Sequence, residues 1–128
     1  MTDSQPWMDA KPSMDQEHRI QTGLIEALCA AVEAGDDAGM AGTILAQLIA
    51  YSEAHFMSEE LLMRLASYDD YEDHVADHIR MLDELQQISV RHQAGESGLV
   101  RGKAQAMLQF LRQHIETRDR RFADWDPH

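Results

Sequence analysis

The sequence predicts an all-α fold, an antiparallel up-down-up-down four-helix bundle. Three observations predict it. After Pro6 and Pro12 the next proline is Pro127, and the stretch between them is rich in Ala, Leu, Met, Glu and Gln, residues that favour helices. Clusters of Gly, Asp and Ser divide that stretch into four segments. Each segment carries apolar residues at the 4-3 spacing of the facing positions in a bundle. There is no strand-like alternation, internal repeat or low-complexity tract.

Each element follows from its own punctuation. Ser13 with Gln16 three residues on reads as a capping box, so the first helix is expected from there to about Ala34, where Gly35-Asp36-Asp37 stops it. The second is expected from Ala38 or Gly42 to about Ala66, ending at Ser67-Tyr68-Asp69-Asp70. Asp70 caps a third, from Tyr71 to about Ala94, stopped by Gly95. After Ser97-Gly98 the fourth runs from about Leu99 to Ala123 and is closed by Trp125-Asp126-Pro127. Residues 1–13 are expected to form an N-terminal arm, 14–125 the bundle and 126–128 a tail. Short connections make successive helices antiparallel neighbours.

Composition bounds the function. The chain has 128 residues, 44% of them hydrophobic, which suits one domain with a real core. Cys29 stands alone and fits a reducing compartment. With 11 Lys+Arg against 23 Asp+Glu the net charge is −12, so nucleic-acid phosphates and anionic membranes would be repelled. The first 13 residues hold no apolar run of secretory length, and Ile44 to Tyr51 is far too short to span a bilayer. A soluble, cytoplasmic protein with no nucleic-acid or membrane partner is expected.

The inward seams carry the chemistry. They read Met14, His18, Gln21, Ile25, Leu28, Val32 in the first helix, and Leu45, Leu48, Ser52, His55, Glu59, Leu62, Ala66 in the second. The third reads Tyr71, His74, His78, Met81, Leu85, Ile88. The fourth has a broader stripe through Ala104, Met107, Leu108, Leu111, Ile115 and Phe122, with His114 on one edge. Asp119 comes five residues after His114, a rotation of about 140° net in an α-helix, which puts it on the opposite edge. In an up-down-up-down bundle His18, His55, Glu59, His74, His78, His114 and Asp119 all fall roughly 5 to 17 Å from one shared end, given a rise of about 1.5 Å per residue.

A single buried histidine is ordinarily a hydrogen-bonded core residue, and His-x-x-x-His alone is a weak signal. Convergence of seven such groups is different. Glu59 and Asp119, ionised in an apolar core, would each cost several kcal/mol unless compensated. No Lys or Arg sits on the seams of the first three helices, and Arg118 is expected to reach outward along the bundle edge. A metal is the economical compensator. Seven ligands are too many for one tetrahedral zinc and too rich in nitrogen for Ca²⁺ or Mg²⁺. Five imidazoles, two bridging carboxylates and one bridging oxo or hydroxo group fill about eleven of the twelve positions of two octahedral transition ions. One position stays open for a small molecule. Because imidazoles must be neutral to ligate, metal affinity is expected to fall as pH drops through the histidine range.

Four stretches match a known pattern in residue type, order and spacing: Asp15-Gln16-Glu17-His18, His55-Phe56-Met57-Ser58-Glu59-Glu60, His74-Val75-Ala76-Asp77-His78 and His114-Ile115-Glu116-Thr117-Arg118-Asp119. Over about residues 7 to 125 the chain resembles hemerythrin, especially its bacterial single-domain relatives. The resemblance implies a non-haem di-iron centre: two iron ions, oxo- or hydroxo-bridged, that bind O₂ reversibly. His74, His78 and His114 would hold one iron, His18 and His55 the other, and Glu59 and Asp119 would bridge them. O₂ would bind at the iron carrying His18 and His55. Leu111, one turn before His114, matches the family's pocket leucine and would wall the O₂ site; by its position alone it reads as a core leucine. The chain departs from its relatives in a shorter segment ahead of His18, which bears on Trp7, and in Tyr68-Asp69-Asp70 where many have Tyr-Pro. Glu60, Asp73 and Asp77 are expected to be solvated or to hold ligand N–H groups, and His92 and His128 are expected to be non-ligands.

The resemblance therefore implies an O₂ carrier for storage or delivery rather than an enzyme, with O₂ and an oxygen-using protein as partners. Two alternatives stand beside it. One is a sensor that passes O₂ or redox state to a signalling protein. The other is a di-iron enzyme handling peroxide or nitric oxide.

Overall fold

Four amphipathic rods joined by short links can hide their seams only by closing on one another. The computed structural model describes the backbone of residues 6–35 and 39–125 and the side chains of 14–35 and 39–125. Its elements are α1 (Pro6–Glu33), α2 (Met40–Ala66), α3 (Tyr71–Gln93) and α4 (Ser97–His114), continued by a π-helical turn (Ile115–Asp119) and a short α5 (Arg120–Asp124). The principal contacts run α1 to α2, α2 to α3, α3 to α4 and α4 back to α1, a four-helix bundle with sequential helices side by side. No described helix is long and apolar enough to cross a membrane.

Boundaries differ from expectation where backbone geometry overrides the side-chain signal. Helix α1 starts at Pro6 rather than at the Ser13 capping box, since a proline in the first position has helical φ already and lacks only an N–H that would be unpaired there. Asp70 precedes α3 without a side-chain cap; its carboxylate instead accepts from Arg121 of α5. Helix α2 ends at Ser67, in the left-handed region at φ 54°. There Tyr68 N–H bonds Met63 O and Ser67 N–H bonds Arg64 O, a Schellman closure whose apolar clasp is Tyr68 on Met63. Asp36, Asp37, Ala38, Asp126, Pro127, His128 and the Trp7 side chain lie outside the described residues.

The seams of α1 to α3 bury as read, except that Ala66 and Tyr71 are half-buried. In α4, Leu108 and Ile115 are half-buried and Val100 takes an inward place. Apolar packing forms two clusters. The larger joins Ile25, Leu28, Leu48, Phe56, Met81, Leu85, Ile88, Val100 and Leu111 among others. The smaller joins Met14, Leu62, Met63, Tyr68 and Phe122. A polar layer separates them, and beside it a buried Gln21 Nε2–H donates to Ser52 Oγ at 2.9 Å.

Candidate metal centre

The polar layer is built from all four sides of the bundle. His18 comes from α1, His55 and Glu59 from α2, His74 and His78 from α3, His114 from the last turn of α4, and Asp119 from the π turn. All seven are buried, from His74 at 0% exposed to His18 at 8%. In the second and third helices a four-residue interval stacks two donors on one face.

The fourth helix needs a different device. After Leu111 and His114 the 4-3 seam of an unbroken α-helix would next reach Arg118. The π turn, in which Arg120 N–H reaches Ile115 O, spreads about one turn over five residues and skips it. Asp119 therefore shares a face with His114, their Oδ1 and Nε2 atoms 3.1 Å apart. The α-helical expectation that Asp119 sits on the opposite edge is corrected. Arg118 is carried outward, where it pairs with Asp77 at 3.2 Å and Asp73 at 3.6 Å.

Every imidazole turns Nε2 inward, and the two carboxylates divide their oxygens. Glu59 Oε1 faces His78 Nε2 at 3.0 Å and His74 Nε2 at 3.7 Å, while its Oε2 faces His18 Nε2 at 3.1 Å and His55 Nε2 at 3.7 Å. Asp119 Oδ1 accepts from His74 Nε2–H at 2.8 Å, and its Oδ2 lies 3.0 Å from His18 Nε2. Two donor sets result. One atom each from Glu59, His74, His78, His114 and Asp119 lies within 4.8 Å of the others, and so does one each from His18, His55 and Glu59. Glu59 Oε1, His55 Nε2, His78 Nε2 and His114 Nε2 are buried with no aligned hydrogen-bond partner. Native interiors rarely leave such atoms unpaired. Nitrogen and oxygen donors gathered this closely, several of them unpaired, fit bound cations, and among the described residues no Lys or Arg pairs with either carboxylate.

Without a metal, protons take the place of cations. Burial opposes charge on His18, yet its contacts with Asp119 and Glu59 outweigh that and push its pKa up to about 10. His114 is raised by the same balance, burial against Asp119. Burial alone would lift the carboxylates; their imidazole partners hold Glu59 low and Asp119 well below the usual range.

Three of the five outer imidazole nitrogens are held from behind, while His74 Nδ1 is buried without a hydrogen-bond partner. His55 Nδ1–H donates to Glu17 at 2.7 Å, His78 Nδ1–H to Glu60 at 2.8 Å and His114 Nδ1–H to Asp77 at 3.1 Å. These bonds select the tautomer that leaves Nε2 free for a metal. Of the two places expected for Glu60 and Asp77, in solvent or on a ligand N–H group, both take the second. Glu17 was not expected there, although its place beside His18 put it within reach of a neighbouring helix. Asp73 only pairs with Arg118, and His92 lies at the far end of α3, close enough that a Cβ on Gly42 would sit 3.3 Å from its ring. Phe56, also missed, stacks on the His78 ring at 4.0 Å and 8°. Glu17→Gln and Glu60→Gln are each expected to lower metal affinity about 10- to 100-fold with helix content unchanged, as read by chelator competition beside circular dichroism.

A cavity of about 340 Å³ reaches His18, Glu59 and Asp119 from the side of α1 and the π turn, with Met14, Ile115 and Phe122 as apolar lining. Its described lining does not include Leu111, which is 1% exposed within the larger apolar cluster.

Comparison with known proteins agrees with this geometry. Residues 11–125 match the Hemerythrin HHE cation binding domain. Curated proteins and solved structures give no match. A match over nearly the whole chain, on a four-helix bundle whose buried His, Glu and Asp groups can hold metal, shows that this chain belongs to the hemerythrin HHE cation-binding family.

Proposed function

We propose that the chain binds O₂ reversibly at a non-haem di-iron centre and stores or delivers it. The observation that carries this reading is the division of each carboxylate, one oxygen toward His18 and the other toward His74, His78 or His114. Carboxylates so placed suit two cations that share them. His74, His78 and His114 would hold one ion and His18 and His55 the other, with Glu59 and Asp119 common to both. A ferrous pair would supply O₂ with two electrons on binding and recover them on release.

The chain's own residues do the rest. Glu17, Glu60 and Asp77 fix the imidazole tautomers. Two imidazoles against three leave the His18 side one donor short, and the cavity reaches that side. The approach is mixed: Met14, Ile115 and Phe122 offer apolar walls to a neutral diatomic beside the charged Asp15, Glu116, Arg120 and Asp124. The apolar clusters flank the layer above and below.

Anaerobic loading with ferrous iron, then air, then argon, tests the proposal. A visible band that forms in air and is lost under argon, with ferrous iron recovered, is the expected result. Rapid irreversible oxidation on the first exposure overturns storage and delivery.

A further inference from the structure

Helix α2 is apolar on the wrong side as well as the right one. Its inward seam packs the core, yet Ala46, Ala50, Ala54, Met57, Leu61 and Leu65 are also exposed on its outer face. Met57 is 69%, Leu61 49% and Leu65 57% exposed. A helix with apolar residues all round is ordinarily covered on both sides.

The outer residues form a pattern. Their successive spacings are 4, 4, 3, 4 and 4, which reads the same from either end, about a midpoint between His55 and Phe56. Side-chain size inverts across that midpoint: three alanines precede it and three large apolar residues follow. We propose that this face is an isologous docking surface for a second copy of the chain, with the two α2 helices antiparallel across a two-fold axis.

In that register Ala46 meets the partner's Leu65, Ala50 the partner's Leu61 and Ala54 the partner's Met57. The two-fold repeats each pair. Every large side chain then fills the gap over an alanine, and the alanines permit the closer helix separations, about 8 Å. A parallel pairing would set large on large at one end and small on small at the other. Charge agrees with a second copy as occupant. The chain carries −12, but the exposed positions of α2 from Thr43 to Leu65 hold one acid, Glu53, and one base, Arg64. This is a neutral face on an acidic protein, where two copies repel least. In the proposed register Glu53 lies level with the partner's Ser58 and Arg64 with the partner's Gln47, so no like charges oppose. The seam is about 28 Å long at about 1.5 Å per residue, the scale of a weak, reversible interface.

Sedimentation equilibrium of the full chain over a range of concentration and salt tests this, with circular dichroism as the check on folding. The expected result is a monomer–dimer equilibrium that tightens with salt, because salt screens repulsion between the acidic remainders. Ala50→Leu and Leu61→Ala should each weaken it about tenfold, and Leu61→Glu should abolish it. Ala50→Leu with Leu61→Ala in one chain restores large over small at both positions and should return most of the association. A folded chain that stays monomeric at millimolar concentration in high salt overturns the proposal. So does a double variant no tighter than the single ones, or a dimer indifferent to Leu61→Glu.

Discussion

Replacing Glu59 by leucine is expected, on the two-ion reading proposed above, to reduce the metal content from two ions per chain to one at most. It also removes any magnetic coupling between them. Glu59 belongs to both donor sets and faces His18 through one oxygen and His78 through the other. Leucine fills a similar volume without a charge, so packing is roughly kept while the shared ligand is lost. The metal-free variant should also be less stable than the metal-free parent by about 3–5 kcal/mol, the usual cost of removing one partner of a buried charged set. His18 and His78 would then face an apolar methyl group instead of a carboxylate. Elemental analysis, magnetic measurement and urea unfolding read these three effects. Retention of two coupled ions would refute the shared role given to Glu59.

The second large effect is a pH dependence that exists only without metal. In the unfolded chain a histidine titrates near 6.5, whereas His18 in the folded, metal-free chain is pushed up to about 10. A raised pKa stabilises the fold fully below the unfolded value, and the contribution is lost as pH rises through the folded one. The metal-free chain should therefore lose a few kcal/mol between about pH 6.5 and 10. Glu59 and Asp119 act oppositely: their lowered pKa values give stability above the ordinary carboxylate range that disappears as pH falls. Thermal melts in the presence of a chelator should show the alkaline decline, and metal-loaded melts should lack it. Loading near neutral pH must displace the His18 proton, so calorimetry in buffers of different ionisation enthalpy should detect its release. Affinity should keep rising well above the ordinary histidine range. A metal-free chain equally stable from pH 6.5 to 10 would contradict this account.

Most of the bundle could be read from residue order because seams and breaks are local signals. The inward positions of α1 and α3 depend only on helical period, and Gly35, Gly95 and the turn after Ala66 interrupt it where expected. What escaped depended on contacts between helices or on a change of period. Phe56 and Met63 lie beside the strict 4-3 seam of α2, and only the closeness of α3 and the Tyr68 clasp buries them. The link from Glu17 to His55 requires knowing how far α1 is rotated against α2. The seven inward polar groups stood out since nothing else in the chain could neutralise them. Asp119 lies on the His114 face and not on the opposite edge because residues 115–119 do not keep a constant α-helical rotation.

That widened turn makes the chemistry of the chamber a matter of reading frame along a single rod. Four residues separate His114 from Asp119, and Arg118 waits one step short of the inner position. Wound as an ordinary α-helix at the same length, the segment would bring Arg118, four residues after His114, to the inner place and turn Asp119 about 100° further round. The same rewinding would swing Phe122 away from Met14, Met63 and Tyr68, loosening the lid over the layer. A change of winding too small to alter the architecture thus separates a chamber hospitable to cations from one that repels them.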